Sequence, residues 1–173
     1  LGEEASMDIT GLIGQYAHGN EPSHHTTYMY AYSGEHYKIA DKVRYINNEL
    51  YSDEPDGLSG NEDCGQMSAW YIFSSIGFYP VNPSNGAYIF GSPLFDVVDI
   101  NIPGKKKFKV VAENNNDKNI YIQSVSLNGQ DYKYSYITHK QILEGGELKF
   151  VMGPNPNKNF GKEKIYRPAS IVY

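Results

Sequence analysis

The sequence predicts an α+β fold, in which a helical segment over residues 1–82 precedes a small antiparallel β-rich region over residues 83–173. In the first part, apolar residues recur at the spacing of helices. In the second part, short apolar runs of β-branched residues are separated by turn signals. Hydrophobic residues make up 40% of the chain, which is enough to form a packed core.

The first predicted helix spans about residues 22–32. Pro22 occupies its first position, where a missing backbone N–H costs nothing. Ser33 and Gly34 are suitable residues to end it.

Two further helices are predicted by their apolar residues. One spans about residues 35–51, and the other spans about residues 65–76 and is followed by Gly77. The first is amphipathic, whereas the second is apolar on nearly every side and is expected to be buried. The apolar stripe of the amphipathic helix consists of Ile39, Val43, Ile46 and Leu50.

Strands are predicted around four apolar runs, and Asn128-Gly129 is a strong hairpin turn signal. A further strand with one aromatic face is predicted from the alternation of Tyr132, Tyr134 and Tyr136. The four runs are Val97–Ile102, Phe108–Val111, Ile120–Leu127 and Leu148–Met152.

Composition excludes several classes of protein. The net charge of −5 argues against a nucleic-acid-binding protein. The single cysteine, Cys64, excludes an intramolecular disulfide framework and a cysteine-based zinc site. Since no apolar stretch approaches the length of a membrane span, none is predicted.

Polar groups that could carry chemistry concentrate in two loops, each of which precedes a predicted helix. The first loop is Gly19-Asn20-Glu21-Pro22-Ser23-His24-His25, and the second is Gly60-Asn61-Glu62-Asp63. Free backbone N–H groups at a helix start keep carboxylates ionised, as a general base or a metal ligand requires. Hard oxygen ligands suit calcium better than transition metals. The alternative is a capped helix with solvated acids.

His24 and His25 are adjacent and would point about 100° apart on a helix. Both therefore cannot ligate one metal comfortably. One of them is expected to face a pocket and the other to pack inside.

Both loops resemble the signature motifs of glycoside hydrolase family 92, whose members are calcium-dependent, inverting exo-α-mannosidases. The similar segments span nearly the whole chain. They are Gly19–Tyr30, Asp56–Val81, Phe90–Asp96, Asn119–Val125 and Ser135–His139.

The resemblance implies a fold and a mechanism. Residues 1–82 would be the final helices of an (α/α)6 catalytic barrel, and residues 83–173 would be the β-rich C-terminal region. An inverting enzyme uses one carboxylic acid to protonate the leaving group and one carboxylate to activate water.

By position in the motif, Asp63 resembles the general base, and Glu21 and Asn20 resemble calcium ligands. The remaining polar residues resemble substrate contacts, although Glu62 is also read as a structural residue. These substrate-contact candidates are His24, His25, Glu62 and Asn61.

The family's general acid is a Glu upstream of the Gly-Asn-Glu-Pro motif, in a segment that this chain lacks. We therefore expect the chain, which begins at Leu1 rather than Met, to be part of a longer enzyme and to be inactive alone. Its substrates would be mannose-containing glycans, with α-1,2 linkages favoured. Family members are usually periplasmic, surface-bound or secreted.

Two other functions remain open at this point. The alternating tyrosines suit a non-catalytic carbohydrate-binding module, because sugar rings stack on aromatic faces. A purely structural domain would bind neither metal nor sugar.

Overall fold

The computed structural model describes residues 9–104 and 106–170. Residues 1–8 of the predicted helical segment therefore lie outside the described residues. Within the described ranges, three sheets and four α-helices form around two hydrophobic cores. The division of the chain at residue 82 stays a prediction.

The helices of the first part follow a short hairpin of strands β1 (Leu12–Ile13) and β2 (Tyr16–Ala17). Helices α2 (Lys38–Glu49) and α3 (Gln66–Ile76) confirm the second and third predicted helices. Gly77 ends α3 in the left-handed conformation, at φ 115°. The predicted burial of α3 holds for Met67 and Trp70, whereas Ile72 is 56% exposed.

The single helix predicted over residues 22–32 is wrong. The segment forms two 3-10 turns, Glu21–Ser23 and Thr26–Tyr28, and a short helix α1, Tyr30–Ser33. Tertiary contacts explain the break, because the backbone oxygen of His24 accepts a hydrogen bond from Trp70 Nε1 at 3.1 Å. The His24 oxygen thus accepts from a side chain of another element. The neighbouring backbone N–H groups donate to the oxygen three residues earlier, as in a 3-10 helix, rather than four residues earlier.

The second part contains most of the strands. The larger sheet has the order β5-β6-β10-β7-β8 and the smaller has the order β3-β4-β9. The strands of the larger sheet are β5 (Val97–Ile102), β6 (Lys106–Glu113), β7 (Tyr121–Leu127), β8 (Gln130–Asp131) and β10 (Gly146–Gly153). Those of the smaller sheet are β3 (Phe78–Asn82), β4 (Ala87–Phe90) and β9 (Tyr136–Thr138).

The four predicted strand runs and the hairpin at Asn128-Gly129 are confirmed. The predicted antiparallel pairing is also found, with one exception, since β6 and β10 pair in parallel. The chain enters β10 through helix α4 (His139–Glu144), which the sequence analysis missed and which a capping box at Thr138 and Gln141 starts.

The strand predicted over the three alternating tyrosines is mostly wrong, since only Tyr136 lies in a strand. The backbone N–H of Ser135 bonds the oxygen of Tyr166 in the C-terminal segment instead. Tyr132 packs against the core of the larger sheet, and Tyr136 packs against the helical core. Strand β3 was also missed, because its Pro80 argues against a strand except at an edge or bulge, and β3 is an edge strand with an irregular register.

Polar contacts join the helical and β-rich parts; those of Arg44 with Ser92 and Pro93 are buried, and that of Tyr121 with Asp41 is exposed. Arg44 of α2 donates from Nε to Ser92 Oγ at 2.9 Å and from Nη2 to the Pro93 oxygen and Asn115 Oδ1. Tyr121 Oη donates to Asp41 Oδ1 at 2.6 Å. The two parts therefore have a defined relative position.

Among the described residues, no helix is both long and apolar enough to cross a lipid bilayer.

His36 is a second buried contact between the two parts, and it makes stability depend on pH. Its Nε2 bonds the backbone oxygen of Phe90 at 2.9 Å. Burial lowers the pKa of His36 from 6.5 to about 4. Between these values the unfolded chain binds a proton that the folded chain does not, so stability falls as the pH falls.

We predict that His36→Gln flattens this dependence. From pH 7 to pH 5, the free energy of unfolding should fall by about 2 kcal/mol less in the variant than in the wild type. Urea unfolding of the 173-residue chain at both pH values measures this difference. His25→Gln, which changes an exposed histidine, is the control, and an unchanged pH dependence in His36→Gln would contradict the assignment.

Candidate active site

The two predicted loops meet at a contact that only glycine allows. A Cβ atom on Gly19 would lie 2.0 Å from Thr10 Oγ1 and 2.5 Å from the backbone oxygen of Ser59. A Cβ atom on Gly60 would lie 2.9 Å from the same Thr10 hydroxyl. The loop that carries Glu21 therefore packs directly on the loop that carries Asp63.

The turn before α3 has an unusual backbone. Asp63, Cys64 and Gly65 follow one another with φ angles of 51°, 56° and 96°. Non-glycine residues adopt positive φ rarely, and such strain concentrates at functional sites. The turn directs the side chains of the two adjacent acids to different places.

Glu62 is used to start helix α3. Its Oε1 accepts the backbone N–H of Ser68 at 3.1 Å, and its Oε2 accepts the backbone N–H of Gly65. Hydrogen bonding by Ser68 lowers the pKa of Glu62 and keeps it ionised. This geometry favours the structural reading of Glu62, and its role as a substrate contact stays a prediction.

Asp63 points instead toward Glu21. A side-chain contact with Glu21, then desolvation, then the charges of Glu21 and Glu62 raise the pKa of Asp63. Glu21 Oε1 is buried and has no hydrogen-bond partner in the described part of the chain. A bound cation would offset the repulsion between the two carboxylates.

The two predicted histidines occupy different environments. His24 is buried, its Nε2 bonds the His18 backbone oxygen at 2.8 Å, and its Nδ1 accepts from Gln66 Nε2 at 3.1 Å. His25 is exposed. Because both ring nitrogens of His24 are already bonded, the structure favours a supporting role for it, and the sugar contacts predicted for both histidines stay predictions.

The two amides, Asn20 and Asn61, are exposed next to the acids. The backbone oxygen of Asn20 accepts the N–H and the hydroxyl of Ser23, which fixes the first 3-10 turn. Both side chains are exposed to solvent, where a ligand can reach them, and their predicted roles stay predictions.

The sequence analysis missed His18, which is buried directly before the first motif. It bonds Tyr16 Oη at 2.7 Å through Nδ1 and Tyr51 Oη at 2.6 Å through Nε2. Burial, and secondarily His24, lower the pKa of His18 to about 3, so the ring is neutral near pH 7. One partner, Tyr16, is two residues away in sequence, whereas Tyr51 is 33 residues away and gives no local signal.

The fold and these two loops define a chain whose acids converge at the end of a helical segment that packs on β-sheets. Residues 2–154 match the model of the glycosyl hydrolase family 92 catalytic domain. The chain therefore belongs to glycosyl hydrolase family 92.

Solved structures of this family are similar to the chain. The family GH92 α-mannosidase BT3965 from Bacteroides thetaiotaomicron aligns with a TM-score of 0.90 and 43% identity over 95% of this chain and 22% of its own. It has also been solved in complex with mannoimidazole. The family GH92 inverting mannosidase BT2199 from Bacteroides thetaiotaomicron VPI-5482 aligns with a TM-score of 0.85 and 43% identity over 91% of this chain and 21% of its own.

A curated relative from Arthroderma benhamiae, described as an uncharacterized secreted glycosidase, is 34% identical over 138 residues. That match covers 78% of this chain and 18% of the relative. The chain thus spans about a fifth of the length of the proteins it matches.

We predict that Glu62→Gln destabilises the 173-residue chain, because it removes the ionised acceptor at the start of α3. The melting temperature should fall by about 2–4 °C, as expected for a lost helix cap. Thermal unfolding followed by circular dichroism measures the shift. Glu54→Gln, an exposed acid in the same loop, is the matched control, and equal melting temperatures in the two variants would refute the capping role.

Proposed function

We propose that this chain is the C-terminal part of an inverting, calcium-dependent exo-α-mannosidase that removes mannose from N-glycans or mannans. The observation that carries the proposal is the convergence of the Asp63 and Glu21 carboxyl groups from the two motif loops. Membership of family 92 and its solved mannosidases support the substrate class. We favour α-1,2 linkages and a periplasmic, cell-surface or secreted location, in line with the secreted relative.

In this proposal Asp63 is the general base. A base must be ionised yet basic enough to take a proton from water, and the neighbouring Glu21 raises the pKa of Asp63 in that direction. Asp63 is also exposed, so a water molecule can reach its carboxylate. Glu62 does not compete for this role, since its carboxylate is already bonded at the start of α3.

The donor set fits calcium. Glu21 presents a buried carboxylate oxygen that has no partner among residues 9–104 and 106–170, and Asp63 and the Asn20 amide offer further hard oxygens. Glu21 and Asn20 would hold the ion, and Asp63 would lie beside it. The described residues contain no group of three or more His, Cys, Asp or Glu that could hold a metal, so water, substrate or other parts of the enzyme would complete the shell.

When bound, calcium would engage hydroxyl groups of the terminal mannose. The residues of this chain would then act by holding the ion and by accepting a proton. Glu21 and Asn20 would hold the ion at the first loop, and Asp63 would accept the proton of the attacking water.

The general acid is proposed to lie outside these 173 residues. An inverting site separates its two carboxyl groups by about 6.5–9.5 Å, which leaves room for a water molecule. The partner of Asp63 would come from the much longer remainder seen in the relatives.

We predict that Asp63→Asn abolishes most activity of the full-length protein without unfolding it. The kcat of α-1,2-mannobiose hydrolysis should fall by about 10²–10⁴-fold, the contribution of a general base. Asparagine tolerates the positive φ of this position. Asp53→Asn, an exposed acid of the preceding loop, should keep wild-type turnover.

The same substitution should not lower stability. Because the folded-state pKa of Asp63 is raised, its ionised form weakens folding above that pKa, and the neutral amide removes the repulsion from Glu21. The melting temperature of Asp63→Asn should equal or exceed that of the wild type at pH 7. Wild-type turnover in this variant would overturn the assignment of the base.

The proposal also predicts that activity needs both calcium and the longer protein. A chelator should silence the full-length enzyme, and added Ca²⁺ should restore it. The 173-residue chain alone should not hydrolyse α-1,2-mannobiose. A fully active isolated chain would show that the general acid lies within it and that the assigned roles are wrong.

A non-catalytic carbohydrate-binding module is the alternative function. Tyr134 favours it, since its ring is 37% exposed and contacts the rings of Tyr132, Tyr136 and Tyr166. The other alternating tyrosines serve packing, as described above. Calorimetric titration of the chain with mannose oligosaccharides tests it, and binding that Tyr134→Ala removes would support the module.

A further inference from the structure

We infer that His18 is a positioning residue that fixes the loop of Asn20 and Glu21 through the hydrogen-bonded series Tyr16–His18–Tyr51. The series is complete within the described residues; His18 is buried, and its two hydrogen bonds to the tyrosines are part-buried. Its catalytic consequence rests on the proposed function, whereas its effect on the loop does not.

The donor and acceptor of each hydrogen bond in the series follow from the bond that Tyr51 makes to Met67. Tyr51 Oη donates its single proton to the backbone oxygen of Met67 at 3.0 Å. Its oxygen must then accept the proton of His18 Nε2, which is 2.6 Å away. Nδ1 of the neutral ring consequently accepts from Tyr16 Oη at 2.7 Å. His18 is therefore the Nε2–H tautomer.

The imidazole ring is suited to joining the hydroxyl groups of Tyr16 and Tyr51. It presents a donor and an acceptor in divergent directions, so it can join two hydroxyl groups that come from different elements. Its faces are also used, because the ring stacks on His24 with centroids 4.7 Å apart and meets Trp70 edge-on at 4.5 Å.

His18 also anchors its own backbone. Its N–H donates to the Gly11 oxygen at 3.0 Å, and its oxygen accepts from His24 Nε2 at 2.8 Å. The loop between His18 and His24, which contains Asn20 and Glu21, is thus closed at both ends.

The same series ties this loop to helix α3. Tyr51 reaches Met67 in the first turn of α3, and Gln66 Nε2 of that turn donates to His24 Nδ1 at 3.1 Å. Since Asp63 lies directly before this turn, His18 links the position of Glu21 to that of Asp63.

Tyr51→Phe tests the inference with a minimal change, because it removes the acceptor of His18 Nε2–H and keeps the ring. Tyr71→Phe is the matched control. Tyr71 packs on Tyr51 with centroids 4.8 Å apart, and no hydrogen bond of its hydroxyl is found in the described part of the chain.

The first measurement uses nitrogen-15 NMR of the 173-residue chain at pH 7. We expect His18 in the wild type and in Tyr71→Phe to be the Nε2–H tautomer, and Tyr51→Phe to shift it toward Nδ1–H. An Nδ1–H tautomer in the wild type would overturn the series.

The second measurement is amide hydrogen exchange. The N–H groups of Ser23 and His24 close the first 3-10 turn. In Tyr51→Phe they should exchange about 5- to 100-fold faster than in Tyr71→Phe, as expected for one lost buried hydrogen bond. The amides of Val43 and Ile46 in α2 should be unchanged. Equal exchange of Ser23 and His24 in the two variants would refute the positioning of the loop.

The third measurement uses the full-length protein. We expect the kcat of mannoside hydrolysis to fall at least about 5-fold in Tyr51→Phe and to stay near the wild-type value in Tyr71→Phe. A changed tautomer and faster exchange with unaltered kcat would overturn the catalytic role of His18. A wild-type protein that hydrolyses no mannoside would refute the proposed function, while tautomer and exchange still decide the positioning.

Discussion

The contact between Gly19 and the Ser59–Gly60 backbone is the constraint on which the rest of the site depends. It allows two loops, separated by about forty residues of helix and turn, to touch through their main chains. A side chain at Gly19 would force the loops apart, because its Cβ would lie 2.5 Å from the backbone oxygen of Ser59, which cannot rotate away. With the backbones in contact, the short carboxylate side chains of Glu21 and Asp63 can reach each other.

That convergence is unfavourable by itself, and the surrounding structure must offset it. The side-chain contact with Glu21, then desolvation and the neighbouring charges, raise the pKa of Asp63, and the turn that presents Asp63 carries positive φ angles at two non-glycine residues. The opposing stabilisation comes from the buried aromatic layer behind the loops. There, Trp70 Nε1 donates to the His24 oxygen and holds the first loop, while nearer the surface Glu62 is bonded to the start of α3. A ligand site is preorganised when packed residues behind it hold its side chains in place, as the aromatic layer does here for the turn of Asp63.

The β-rich part contributes to the site indirectly. Arg44 and His36 join the helical part to Ser92, Pro93 and Phe90 of the β-rich part, and Phe73 of α3 packs on both cores. Helix α3 is therefore held on the sheets at its middle and carries the candidate base at its start. The chain corresponds to about a fifth of its solved relatives, so the two loops form one wall of a larger site in our proposal.

The sequence alone determined the features that depend on local chemistry. The helix of Ile39, Val43 and Ile46, the left-handed end of α3 at Gly77 and the hairpin at Asn128-Gly129 each follow from spacing or from the backbone preferences of glycine and asparagine. The family followed from the length of the motifs, which exceeds what chance spacing produces.

Tertiary structure decided the features that depend on distant partners. The helix expected after Pro22 breaks because Trp70 takes the His24 oxygen, and strand β10 runs parallel to β6 because helix α4 carries the chain to the other end of the sheet. Sequence spacing placed Glu62 and Asp63 side by side but could not separate their roles, since only the folded turn sends one carboxylate to the helix start and the other to Glu21. His18 was missed for the same reason: its partners, Tyr51 and Trp70, are remote in sequence, and hydrogen bonds between remote residues leave no local periodicity to read.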